Sequence, residues 1–272
     1  MQQFWGMIRA LQMIILSGMV NIKIPVHLHI FLQTCVVLAN MDIMDGEGYY
    51  EDHLTFKETK SIGVKWEFFG IENSNFILNS GSYFVIIVGI WLYDFAFFAI
   101  NKLCVAFRKL PLARRVGSFV YRDNYCSSSW ESMLKLFLEC YFDVVICTLI
   151  NVTAFIRSTD IDDFKEFFIG VENVICSIIT ILHVFFIIVY PVFSFLLIRE
   201  NQGKFDRMEG MIAILMEGVN PHSYHASMYL FYFLVRRLLT GIVLVIFVDF
   251  QYSQCMFLLV LSFANYCYLF TV

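Results

Sequence analysis

FFIGVENVICSIITILHVFFIIVYPVFSFLLI, residues 167–198, decides the fold. Within it only Glu172 and His183 can carry a charge near neutral pH. A bilayer core about 30 Å thick is crossed by about 20 apolar helical residues. Phe167–Ile198 is too long for one perpendicular crossing, so it is expected to tilt or to extend into water, with Pro191 near its inner end. Working outward, four further runs are long and apolar: Ser80–Asn101, Trp130–Ile156, Met228–Val248 and Ser253–Val272. A weaker sixth, Ile24–Asn40, carries His27, His29 and Gln33. The expected fold class is therefore an all-α integral membrane protein with six spans.

Composition agrees. Of 272 residues, 59% are hydrophobic and 15% charged, whereas a soluble domain carries about 25% charged residues. Mean hydropathy is +0.70. Thirty Phe and 14 Tyr supply rings for lipid contact, helix packing and the headgroup region. The net charge of −4 and the lack of a Gly-rich phosphate loop exclude a nucleic-acid or nucleotide binder.

The connections alternate in sign. Lys102–Tyr125 holds Lys102, Arg108, Lys109, Arg114, Arg115 and Arg122 against Asp123 alone, and Arg199–Ser227 adds Arg199, Lys204 and Arg207. Excess Lys and Arg mark the cytosolic side. The acidic connections 41–79 and 157–166 then lie outside, and both termini lie inside. Residues 1–40 read as an interfacial or broken helix around Pro25 followed by the first span, 41–79 as a small acidic extracellular loop domain, and 80–272 as a five-span bundle. Phe205–Gly218 places Met208, Met211, Ile212, Leu215 and Met216 at helical spacing, the pattern of an interfacial helix on the cytosolic leaflet. The chain ends abruptly inside an apolar run at Val272, which reads as a piece of a longer polypeptide.

Charges inside spans are costly and mark functional positions. Asp94 lies in the second span, Glu139 and Asp143 on one face of the third, Glu172 and His183 in the fourth, and Arg236 and Arg237 in the fifth. These seven form the candidate intramembrane charge network. In one reading Glu139 and Asp143 face Arg236 or Arg237 along an ion or proton route. In the other they are structural pairs joining helices. Glu131, Lys135 and Glu139 also form a ladder with one residue per turn. His222 and His225 are an incomplete metal set, and Asn151-Val152-Thr153 is a glycosylation sequon that falls within a span. The eight cysteines show no CxxC spacing, and neither HExxH nor GxSxG occurs. The reading is non-enzymatic, with no catalytic residues, cofactor or metal. Only Asp249–Tyr252 separates the last two spans, too few residues for a re-entrant pore helix and filter.

Four stretches, ALQMIILSGMVNIKIPVHLHIF (10–31), FGIENSNFILNSGSYFVII (69–87), FLECYFDVVICTLINVT (137–153) and MYLFYFLVRRLLTGIVLV (228–245), resemble the multi-pass C-terminal membrane region of large cysteine-rich ciliate surface proteins. That region is itself similar in outline to TRP-like and polycystin-like six-span domains. The resemblance implies a surface or ciliary membrane anchor, with Arg236 and Arg237 as a helix-positioning pair and Glu139 as the matching acid. The chain departs from the family in carrying no cysteine-rich ectodomain. The expected function is an anchor or assembly subunit whose partners are the lipid bilayer and other subunits or an extracellular protein, met through 41–79. The alternatives are a TRP-like channel or transporter subunit and an accessory subunit of a mitochondrial inner-membrane complex.

Overall fold

The computed structural model describes residues 14, 15, 18, 20, 25–39, 66, 67, 71, 73–106, 129–157, 170–200 and 223–271. The described part is 90% helical and contains no strand. In chain order the helices are α1 (Val26–Ala39), α2 (Phe76–Asn79), α3 (Gly81–Ala106), α4 (Ser129–Arg157), α5 (Val171–Glu200), α6 (Tyr224–Ser227), α7 (Tyr229–Ile246) and α8 (Gln251–Thr271).

Helix α4 is the hub, touching α2, α3, α5 and α7. Its apolar part is the most enclosed in the bundle, with Tyr141, Val144, Val145 and Ile150 fully buried. Helix α7 runs parallel to it. Gly241 meets Val145 in the middle, and Arg157 bonds Asp249 at 2.7 Å at the shared end. Helix α5 runs antiparallel to α4, with Tyr141 against Ile187 and Phe137 against Tyr190. Helix α8 folds back on α7. Gln254, fully buried, donates through Nε2 to the Leu244 carbonyl at 2.9 Å. That carbonyl lies in the last turn of α7, where backbone donors run out, so a side chain from the next helix satisfies it. At the other end of this hairpin Tyr268 donates its hydroxyl to the His225 carbonyl.

Among the described residues, four helices are long and apolar enough to cross a membrane: Leu136–Arg157, Val171–Glu200, Tyr229–Ile246 and Gln251–Phe270. They lie where the sequence predicts its third to sixth spans. The boundaries sharpen at Gly170, whose φ of 92° only glycine adopts easily, so α5 starts at Val171 rather than Phe167. The described side chains cover the two remaining expected spans only in part. Helix α1 has 14 residues and is about 21 Å long. In α3 the apolar stretch among the described residues is Tyr83–Tyr93, and Asp94 follows at once. The interfacial helix expected at 205–218 and the basic connection at 107–125 lie outside the described residues, as do His222 and most of the acidic connection 41–79.

Candidate functional site

Two features occupy the interior. The first is the charge cluster of α4 and α7. A helix turns about 100° per residue, so the adjacent Arg236 and Arg237 point in different directions. Arg237 is buried, 3% exposed, and its guanidinium acts electrostatically on Asp143, Cys140 and Tyr141 of α4. Its Cζ also lies 4.2 Å from the centre of the Phe233 ring, one turn back on α7. Arg236 is half-buried and interacts instead with Tyr229 of its own helix. Glu139 is buried one turn before Asp143, and both act on the intervening Cys140 thiol. The cluster is therefore Glu139, Cys140 and Asp143 on α4 with Arg237 on α7.

The remaining expected members stand elsewhere. His183 sits among rings, 4.7 Å from Phe76, 6.0 Å from Phe84 and 6.2 Å from Tyr83. Its Nδ1 lies 2.8 Å from the Ile179 carbonyl, which only accepts, so Nδ1 carries a proton and the imidazole packs as an aromatic. Glu172 occupies the first turn of α5, where the helix dipole favours an acid. Its carboxylate folds back over Gly170, where a β-carbon would lie 3.4 Å from Oε2. Asp94 is on α3, and its side chain lies outside the described residues.

The second feature was not legible as a site. Residues 73–80, NSNFILNS, close the connection expected to be extracellular, yet the structure buries them against α4 and α5. Ser74 and Phe76 are fully buried, and Asn75, Ile77, Leu78 and Ser80 nearly so. Asn75 caps α2: its Oδ1 accepts from Ile77 N at 2.9 Å and Leu78 N at 3.4 Å. The same oxygen accepts from the Cys176 thiol of α5 at 3.1 Å. Asn151 of α4 donates through Nδ2 to the Ser74 carbonyl at 2.9 Å, and Cys147 donates to the Asn79 carbonyl at 3.6 Å. Asn79 in turn donates to the Asn73 carbonyl at 2.8 Å. Every one of these bonds satisfies irregular backbone or a cap, which is how non-helical chain survives away from water.

The depth follows from the helix rise. Asn151 and Cys147 lie six and ten residues before Arg157, so the segment enters about 9 to 15 Å along α4. Trp66 belongs to the same connection and is 2% exposed. It joins Ile71 against Phe142, Ile146, Ile150, Leu244 and Val245 of α4 and α7. The described end of the 41–79 connection thus packs into the bundle as a plug. Asn151, read from sequence as a sequon, has its amide engaged within the plug and is only 7% exposed.

Asn75→Ala removes the cap and the acceptor for Cys176 together. Losing a helix N-cap costs about 1–2 kcal/mol. The expected result is a lower unfolding temperature in detergent and faster maleimide labelling of Cys176, which is buried in the native chain. An unchanged labelling rate would exclude Asn75 as the plug's fastening.

The described residues define a helical protein with four helices apt to cross a membrane and a plug in one end of the bundle. Compared with known proteins, the chain matches no protein-family model, no curated protein and no solved structure.

Proposed function

We propose that this chain is a non-enzymatic multi-pass membrane anchor, or assembly subunit, that holds a partner through its acidic connection. One observation carries this reading: Trp66, Ile71 and residues 73–80 tie that connection into the bundle. A loop that merely linked two spans would not need four side-chain bonds from α4 and α5 and within itself. A rigid seat transmits load from an outer partner to the membrane core. In the proposed topology α1 and α3 complete six crossings. The basic connections face the cytosol with both termini, and residues 41–65 face outward. The membrane in this reading is the plasma or ciliary membrane, in keeping with the resemblance to ciliate surface proteins.

The channel or transporter reading stands second, favoured by the electrostatic coupling of Asp143 to the buried Arg237. Replacing 41–65 with a Gly-Ser linker of equal length tests the two. The anchor reading expects normal membrane insertion, together with a fall in native complex size to that of the bare chain. An unchanged complex, with a current in proteoliposomes that Asp143→Asn abolishes, would overturn it in favour of conduction.

A further inference from the structure

Helix α5 contains Pro191 in its interior. Proline has no N–H, so the carbonyl four residues back, that of Ile187, receives no backbone hydrogen bond from it. The proline ring also crowds that carbonyl, which opens the helix there. In a hydrocarbon surrounding, no water replaces the missing donor. Tyr141 of α4 fills the gap. Its hydroxyl, on a fully buried side chain, donates to the Ile187 carbonyl at 2.9 Å.

This bond differs from the other hydroxyl bonds to helix backbone nearby. Thr148, Thr180 and Thr240 each donate four residues back within their own helix. The Tyr141 bond crosses between helices and reaches the one carbonyl that the proline deprives. On the far side, Ser194 donates to the Pro191 carbonyl at 2.8 Å, so a second side chain bonds the loosened turn. Phe137 completes the seat, 4.5 Å from Phe186 and 5.0 Å from Tyr190. Beyond the proline, Val192, Phe193 and Leu196 are exposed, while Ser194 and Ile198 are buried and the Phe195 ring lies tilted, 5.1 Å from Phe231 of α7.

We propose that Ile187–Pro191 is a hinge in α5 and that the Tyr141 hydroxyl is the clasp that holds it shut against α4. The segment Pro191–Glu200 is the part that swings. The plug holds α5 at Cys176 and α4 at Asn151, so the clasp lies between the plug-held end of α5 and the segment that follows the proline. The hinge stands on this geometry whether the chain anchors or conducts.

The test is amide hydrogen exchange on the full chain in lipid nanodiscs, in four forms: native, Tyr141→Phe, Pro191→Ala and the double variant. Tyr141→Phe removes one oxygen and preserves the ring. It is expected to speed exchange across 187–200 by about tenfold, the scale set by losing one buried hydrogen bond. Alanine at 191 restores an N–H to the Ile187 carbonyl, so Tyr141→Phe is expected to have less than half that effect in the Pro191→Ala background. No acceleration in the native background, an equal acceleration in both backgrounds, or an increase spread evenly over α4, α7 and α8 would each overturn the clasp.

Discussion

Arg237→Gln is expected to destabilise the folded chain by about 3–5 kcal/mol, the usual cost of breaking a buried charge pair from one side. Arg237 is 3% exposed, and Asp143 faces it from α4. Removing the guanidinium leaves the half-buried Asp143 carboxylate within the bundle without its compensating charge. Adding Asp143→Asn should recover most of the loss, because two neutral amides of similar shape tolerate burial far better than one uncompensated charge. Recovery should stop short of native stability. The guanidinium also sits 4.2 Å above Phe233, and that contact is worth about 1–2 kcal/mol when desolvated. Arg236→Gln is the control: its side chain is half-buried and directed at Tyr229, and the expected loss is under about 1 kcal/mol. Reversible unfolding in mixed micelles compares the native chain, the three single variants and the double variant. Additive losses in the double variant would show that Asp143 is not the partner of Arg237.

The charge cluster was half legible in the sequence. Spacing of four put Glu139 and Asp143 on one face of α4, and two adjacent arginines guaranteed that one would face the bundle. Which one does depends on the rotation of α7, fixed by the close contact of Gly241 with Val145, and no local pattern encodes that. His183 looked like a charge because it interrupts an apolar run. Its surroundings are aromatic because α2 and the start of α3 bring Phe76, Tyr83 and Phe84 against α5 from about a hundred residues earlier.

Long apolar runs made α4, α5, α7 and α8 visible, since hydropathy over 18 to 30 residues is a local property. The plug was invisible for the opposite reason. NSNFILNS falls at the end of the polar connection expected outside the membrane. The partners of Asn79, Ser74 and Asn75 are Cys147, Asn151 and Cys176, 68 to 101 residues away in sequence. A polar group can be buried once its hydrogen bonds are met, and only the tertiary fold supplies those bonds. The same holds for Tyr141. The proline was plain in the sequence, but the hydroxyl that answers it lies 46 residues away from Ile187.

Gly241→Leu is expected to be the most damaging single substitution at the α4–α7 contact. A β-carbon built at Gly241 would lie 2.7 Å from Val145 Cγ1, 3.4 Å from Leu149 Cδ1 and 3.7 Å from Ile146 Cδ1. The first distance is below contact, and Val145 is fully buried with no room to yield. Small residues let transmembrane helices approach this closely, and here the glycine sets the spacing of the two most intimately packed helices. Gly241→Ala carries two opposing effects. Overpacking costs about 1–3 kcal/mol, whereas replacing glycine in a helix returns up to about 1 kcal/mol. The net expectation is a loss of about 1 kcal/mol, abolished by Val145→Ala, which removes the clashing methyl. Leucine adds three more carbons to the same space, so its loss should exceed about 3 kcal/mol. A larger separation also draws Arg237, one turn away on α7, from Asp143. Gly241→Leu and Arg237→Gln should therefore fall well short of additivity, since each disrupts the same pairing. The check is a double-variant unfolding series in the same micelles. A stabilised Gly241→Ala, or full additivity with Arg237→Gln, would mean that α4 and α7 do not meet at Gly241 as closely as this structure has them.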